Sequence, residues 1–326
     1  SFKNLNISND FKIKSVDEID VNYLNNKEVL NNFKIKKKFD NYNLTGYQFD
    51  GEELLETLLK SNKKNKFSSL FDNFNTSVIL SLNKIYLEKN SYLEKIDGNL
   101  DIKDNKLFLA KVNAILENKK KFSYSYRTTA KNEKITNIFI EEPKPFVNNY
   151  KFIKGFEEGE LKLNSMKIEN NSRSNLKITN FKVKEVPILA KILTLASLQG
   201  IADLLTGEGI RFDEFEMDFK SKNNLIEIDE MYAIGPAISI MMDGYIEKDK
   251  ITSLRGTLVP ATTINKSIAK IPLLGNILVG GKTGEGVFGV SFKIKGPPND
   301  LKSTVNPIKT LTPRFITRTL EKIKGN

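Results

Sequence analysis

The sequence predicts a mainly β protein: an antiparallel sheet with one apolar face and a few docked helices. Three observations lead there. Apolar and polar residues alternate with period two over most of the chain, Asn/Asp/Gly/Lys turns separate the alternating runs, and helical periodicity is confined to a few short segments. A hydrophobic fraction of 39% with 28% charged residues suits a folded chain, too apolar for disorder and too polar for a membrane protein. The 326 residues exceed the roughly 250–300 at which a single core stops growing, so two lobes or one elongated body are expected.

Taken in order, the first helical signal is Asp50-Gly51-Glu52-Glu53, which resembles a capping box, followed by a stripe of Leu54, Leu55, Leu58 and Leu59. Leu100 and Ile102, then Asp104-Asn105, then Leu107 and Leu109 read as a hairpin, and Phe122, Tyr124 and Tyr126 alternate with Ser123, Ser125 and Arg127. Glu141-Glu142-Pro143-Lys144-Pro145 marks a boundary, giving a β-rich segment 1–145 with one short helix and a second region 146–326. In the second region Leu161, Leu163, Leu176 and Ile178 continue the alternation, and Pro187 to Leu205 reads as one longer, largely buried helix with Pro in its first turn and Gly207 as its stop.

The clearest strand is Phe215, Met217, Phe219 against Glu214, Glu216, Asp218. Across Lys222-Asn223-Asn224 it leads to Ile226 and Ile228, then Ile238, Ile240 and Met242, then a turn near Lys248-Asp249. Ser267 to Leu278 is a short helical signal broken by Pro272, and Pro313 to Lys324 reads as a basic terminal helix. Asp97-Gly98 and Asp243-Gly244 form a loose repeat, each leading into a polar turn and another strand, where Gly permits a bend or a close backbone approach.

Composition excludes much chemistry. The chain has no His, Cys or Trp, which removes imidazole bases, thiolate nucleophiles, His or Cys zinc sites, iron–sulfur clusters and disulfides. No catalytic constellation, metal site or cofactor is expected, and the chain is read as a non-enzyme. The net charge of +11 carries little information about partners, because only six of 51 basic residues are Arg and the Lys, Asn and Ile usage resembles that of an AT-rich genome. The tail Leu301 to Asn326 is the exception, with six basic residues against Glu321. It is either a solvated terminal helix or a contact to anionic headgroups, with Lys309, Arg314, Arg318, Lys322 and Lys324 as the candidate contacts.

Three motifs yield to plainer readings. Gly280-Gly281-Lys282-Thr283 ends like a phosphate-binding loop, but Asn276 stands where the first Gly belongs and a strand follows where a helix is required. Glu214, Glu216, Asp218, Glu227 and Asp229 share one face of a hairpin, the pattern of any solvated sheet face. Lys36-Lys37-Lys38 and Lys119-Lys120-Lys121, even with Tyr124 and Tyr126 nearby, lack the localised footprint of a nucleic-acid site, so no nucleic-acid partner is expected. Unless a second sheet or a partner covers it, the apolar face is left to curl into a groove holding something greasy. The chain opens on Ser1-Phe2-Lys3 and is read as a fragment or processed chain.

From about Gly159 to Ile316 the chain is similar to the C-terminal region of the AsmA-like bacterial envelope proteins, with the YhdP-type segment the nearest likeness. The residues carrying it are Asn180-Phe181-Lys182-Val183, Val186-Pro187-Ile188-Leu189-Ala190, Ser197-Leu198-Gln199-Gly200-Ile201, Leu205 to Phe212, Gly235-Pro236, Asp243-Gly244, Gly256 to Pro260, Ile271 to Gly275, Val305-Asn306-Pro307 and Leu311-Thr312-Pro313, in that order. The resemblance implies an elongated sheet curled into a taco-like apolar groove, a periplasmic body and an inner-membrane anchor in a segment absent here. It further implies bridge-like movement of phospholipid between inner and outer membranes, or, as in TamB-type members, a scaffold for assembly or secretion of outer-membrane proteins. With the alternation, it makes Phe215, Met217, Phe219, Ile226, Ile228, Ile238, Ile240 and Met242 the expected groove lining. Phospholipid acyl chains, a membrane surface and envelope proteins are the expected partners.

Overall fold

The alternation is realised as strands. The computed structural model describes residues 1–52, 74–88, 91–116, 119–147, 154–260, 289–298 and 300–308. Seventeen of the nineteen strands among them belong to one hydrogen-bonded sheet, antiparallel-dominated and not closed into a barrel. The chain divides into two compact units, Ser1–Pro145 with Lys162–Ile168, and Phe146–Leu161 with Glu169–Asn326. No helix among the described residues is long and apolar enough to cross a membrane.

The first unit contains β1 (Phe2–Lys3), β2 (Asn6–Ile7), β3 (Ile13–Ser15), β4 (Glu18–Leu24), β5 (Leu30–Lys38), β6 (Asn41–Asp50), β7 (Thr76–Glu88), β8 (Ser91–Lys103), β9 (Lys106–Leu116), β10 (Lys121–Thr128) and β11 (Lys134–Ile140). β2 and β3 pair only with each other, while β1 pairs with β4 and the rest follow in sequence order. The β8–β9 turn has both Asp104 and Asn105 at positive φ, the geometry of a two-residue hairpin loop that matches the twist of its strands. Because side chains alternate, the register lays one apolar row straight across the strands: Ile19, Ile35, Leu44, Leu80, Gly98, Val112, Tyr124 and Ile138. Apart from Gly98, every side chain of this row is half-buried.

The short helix α1 (Lys144–Val147) carries the chain from the first unit into the second. β12 (Lys154–Ile168) follows, with its last residues counted in the first unit, then β13 (Asn171–Lys184), α2 (Pro187–Leu195), α3 (Gln199–Thr206), β14 (Ile210–Lys222), β15 (Leu225–Ile234), β16 (Ile238–Glu247), β17 (Ile251–Pro260), β18 (Gly289–Gly296) and β19 (Lys302–Ile308). From β13 to β19 each strand pairs antiparallel with the next; α2 and α3 come between β13 and β14, and residues 261–288, outside the described residues, between β17 and β18. The two helices place Leu189, Ile192, Leu193, Ala202 and Leu205 into one cluster with Phe181, Phe212, Ile238, Ile240, Leu258 and Phe292 of the sheet. Three phenyl rings stack in its centre, Phe156 on Phe181 and Phe181 on Phe212, each pair 5.5 Å apart.

The sheet is antiparallel-dominated as expected, with β6 and β7 pairing in parallel. A parallel neighbour requires a connection of a dozen or more residues, and residues 51–75 supply it. One expectation is corrected: the single helix expected over 187–205 is two helices. Pro187 opens α2 as expected, but Ser197 takes φ 60° and the Leu198 N–H donates to the Leu193 carbonyl, closing the helix in a left-handed turn before α3 begins. The Leu54–Leu59 stripe, the 267–278 and 313–324 helical signals and Gly280-Gly281-Lys282-Thr283 lie outside the described residues.

Candidate functional site

The eight expected lining residues fall on one face of the second unit. Register fixes this, because residues paired across antiparallel strands share a face. One row runs Ile178, Phe215, Ala233, Ile240, Leu258, Val290. The next runs Leu176, Met217, Met231, Met242, Gly256, Phe292, Val305, and a third Ser174, Phe219, Ile228, Gly244, Leu254, Ile294, Ser303. Ile226 and Ile238 extend the same face along β15 and β16.

Irregularities keep these rows intact. On β13 the apolar positions change from even to odd numbers at Asn180, which has φ 53°, and on β14 they change between Phe212 and Phe215. On β15 a bulge at Asp229 sets Ile228 opposite Phe219 and Glu230 opposite Asp218, so the face passes from Ile226 and Ile228 to Met231 and Ala233. At Gly244 φ is 139°, and a Cβ there would stand 2.2 Å from the Ser253 carbonyl oxygen. At Gly98 in the first unit a Cβ would stand 2.2 Å from the Lys111 carbonyl oxygen. Both glycines of the Asp-Gly repeat therefore lie on an apolar face where the neighbouring strand leaves no room for a side chain.

The face is unevenly covered. Ile238 and Ile240 sit inside the cluster under α2 and α3, with Phe215 and Met242 packed at its edge. Ile228 is buried, whereas Met217, Phe219 and Ile226 are half-buried and outside that cluster. The structure thus brings all eight together on one face but makes Ile238 and Ile240 members of a helix-covered core. Leu176, Met231, Leu254, Phe292 and Ile294 complete the rows beyond the eight expected residues. Lys309, Arg314, Arg318, Lys322 and Lys324 lie outside the described residues.

The opposite face is polar and tied together. Its row Lys177, Glu216, Tyr232, Met241, Thr257, Ser291, Asn306 lies one residue out of step with the apolar rows. Lys177 pairs with Glu214 at 3.1 Å, and Asn175 donates to Glu216 at 2.9 Å and to Asp218 at 2.7 Å. The buried Tyr232 hydroxyl, with one proton to give, donates to Glu214 at 2.6 Å, and Glu216 also stands against it. Burial, with those two carboxylates, pushes its ionisation well above the ordinary phenol value. Lys220 pairs with Asp229 at 2.7 Å. The acids singled out in the sequence are therefore mostly occupied in cross-strand contacts, and no group of His, Cys, Asp or Glu among the described residues is placed to hold a metal.

No family model, curated protein or solved structure matches the chain.

Proposed function

We propose that the apolar face of the sheet takes up phospholipid acyl chains and passes them along, as a bridge-like module between inner and outer membranes in the periplasm. The observation that carries this reading is the set of adjacent apolar rows on one face, the middle one running from Leu176 on β13 to Val305 on β19, backed by a polar face. Strands stand about 4.8 Å apart, so a row across seven of them is about 29 Å long. That is close to the roughly 30 Å of a bilayer's hydrocarbon core, hence about twice the reach of one acyl chain. Each buried CH₂ is worth about 0.8 kcal/mol without any directional contact, so a chain can slide along Ile, Leu, Phe and Met side chains and meet no strong trap. Met217, Met231 and Met242 stand side by side in the middle row and adapt to a moving occupant. Headgroups stay at the mouth, and the sequence offers Lys309, Arg314, Arg318, Lys322 and Lys324 as their candidate partners. The resemblance to AsmA-like proteins agrees with this reading, and the chemistry asks for no catalytic group.

The test is organic extraction of the purified chain followed by phospholipid mass spectrometry, with Phe219→Asp and Lys222→Asp in parallel. Phe219 lies on the apolar face outside the helix-covered core, and Lys222 on the polar face of the same strand. Stoichiometric phospholipid in wild type and Lys222→Asp, lost from a folded Phe219→Asp, is the expected result. Protein free of lipid, even after incubation with vesicles, overturns it and turns attention to the alternative, a scaffold assisting assembly or secretion of outer-membrane proteins.

A further inference from the structure

Sixteen non-glycine residues among those described have positive φ. Fourteen are Asn, Asp, Glu, Lys or Ser, and the other two are Phe11 and Phe39. The same two are the most exposed large apolar side chains described, at 89% and 86%. A bulky residue in the left-handed region is disfavoured, and a turn tip that needs φ > 0 is normally given to Gly, Asn or Asp. Each Phe therefore breaks a backbone rule and a burial rule at once, at the tip of its turn.

Phe39 and the base of the hairpin that carries Phe11 lie at one end of the first unit. Phe39 forms the β5–β6 turn, next to exposed Lys36, Lys37 and Lys38. Phe11 forms the β2–β3 turn, and that hairpin leaves the sheet beside β5, where the Lys37 N–H donates to the Asp17 carbonyl at 2.7 Å. The β8–β9 turn joins the same end: Thr76 beside it donates its hydroxyl to the Asp40 carbonyl at 2.9 Å, and the Asp104 N–H donates to Asn75. Register puts the β10–β11 turn there too. Residues 5–16, 36–41, 103–106 and 129–134 carry nine Lys against Asp10, Asp40, Asp104 and Glu133.

We propose that this turn end docks on an anionic bilayer surface, Phe11 and Phe39 entering the headgroup–acyl boundary while the surrounding lysines meet lipid phosphates. Two separate protruding rings ringed by long cationic side chains suit a soft interface, where aromatic rings settle at headgroup level and each nearby Lys adds about a kcal/mol. A protein hot spot instead needs a packed patch sealed from water. The proposal does not depend on the lipid-groove reading, because docking and acyl-chain uptake use different residues.

The chain has no Trp, so Phe39→Trp introduces a single fluorescent reporter at the tip. With vesicles of equal parts phosphatidylcholine and phosphatidylglycerol its emission shifts to the blue and is quenched by brominated acyl chains, and added salt reverses the shift. Phe11→Gly with Phe39→Gly relieves the backbone at both turns, so folding is retained; vesicle partitioning then weakens at least about tenfold. Co-extracted lipid stays unchanged in that double variant, which separates this test from the groove test. Emission indifferent to anionic vesicles, equal binding to pure phosphatidylcholine, or unaltered partitioning of the double glycine variant overturns the proposal.

Discussion

Phe181→Ala and Phe219→Ala remove the same side chain from the two ends of one apolar face, and their difference measures how that face is closed. Phe181 is 5% exposed, stacks on Phe156 and Phe212 and meets Phe215 edge-on at 6.5 Å. Its truncation leaves a cavity under α2 and α3, costing about 3–5 kcal/mol. Phe219 is half-buried and outside that cluster, so losing about half of a transfer energy of 1.5–3 kcal/mol costs only about 1 kcal/mol. With a urea dependence of about 2 kcal/mol per molar, the midpoint falls by about 2 M in the first variant and about 0.5 M in the second. The assay is urea unfolding of lipid-free protein by circular dichroism, with hydrogen exchange of β13 and β14 peptides assigning the transition to the second unit. Equal midpoint shifts, or a larger one for Phe219→Ala, refute the division of the face into a helix-covered part and a half-open part.

Gly244→Ala places a Cβ against the Ser253 carbonyl in a backbone region that L side chains rarely adopt, so it lowers stability by about 1–3 kcal/mol from strain alone, read as a drop in melting temperature. Burial raises the Tyr124 hydroxyl to about 12, with Tyr126 contributing, so the unfolded chain ionises first as pH climbs past the ordinary phenol value. The stability this group contributes is complete below about pH 10 and is lost as pH rises toward 12. Tyr124→Phe therefore flattens the alkaline decline in the urea midpoint, and an unchanged decline refutes the assignment.

The hairpins were legible because their determinants are local. Asp104-Asn105 and Lys222-Asn223-Asn224 sit between alternating runs, and Asn105 and Asn223 take the positive φ such turns require. The parallel β6–β7 pair was not legible, since nothing in either strand encodes the direction of a neighbour reached through residues 51–75. The break between α2 and α3 was hidden by an apolar run that continues through it, and by a left-handed position filled with Ser197 instead of the usual Gly or Asn. Tyr232 shows how a bulge defeats strict alternation. Counted from Ile226 and Ile228 it belongs with the apolar set, but the extra residue at Asp229 turns it to the polar face, where its hydroxyl meets Glu214 and Glu216.

The division of the apolar face decides how a lipid reading can work physically. A wholly sealed face admits no acyl chain, and a wholly bare one exposes more apolar surface than a stable chain in water sustains. In the second unit α2 and α3 cover the rows around Ile238, Ile240 and Leu258, supplying a core that folds without cargo. The rows continue beyond that cluster through Met217, Phe219 and Ile226, which are half-buried. Adding methylenes to that uncovered stretch gains burial without breaking any packed contact, so occupancy there stabilises the folded state by mass action. A lipid-dependent rise in melting temperature that survives Ile240→Val but not Phe219→Asp places the occupant on the uncovered stretch. A rise abolished by Ile240→Val and kept by Phe219→Asp places it under the helices, which must then open to admit it.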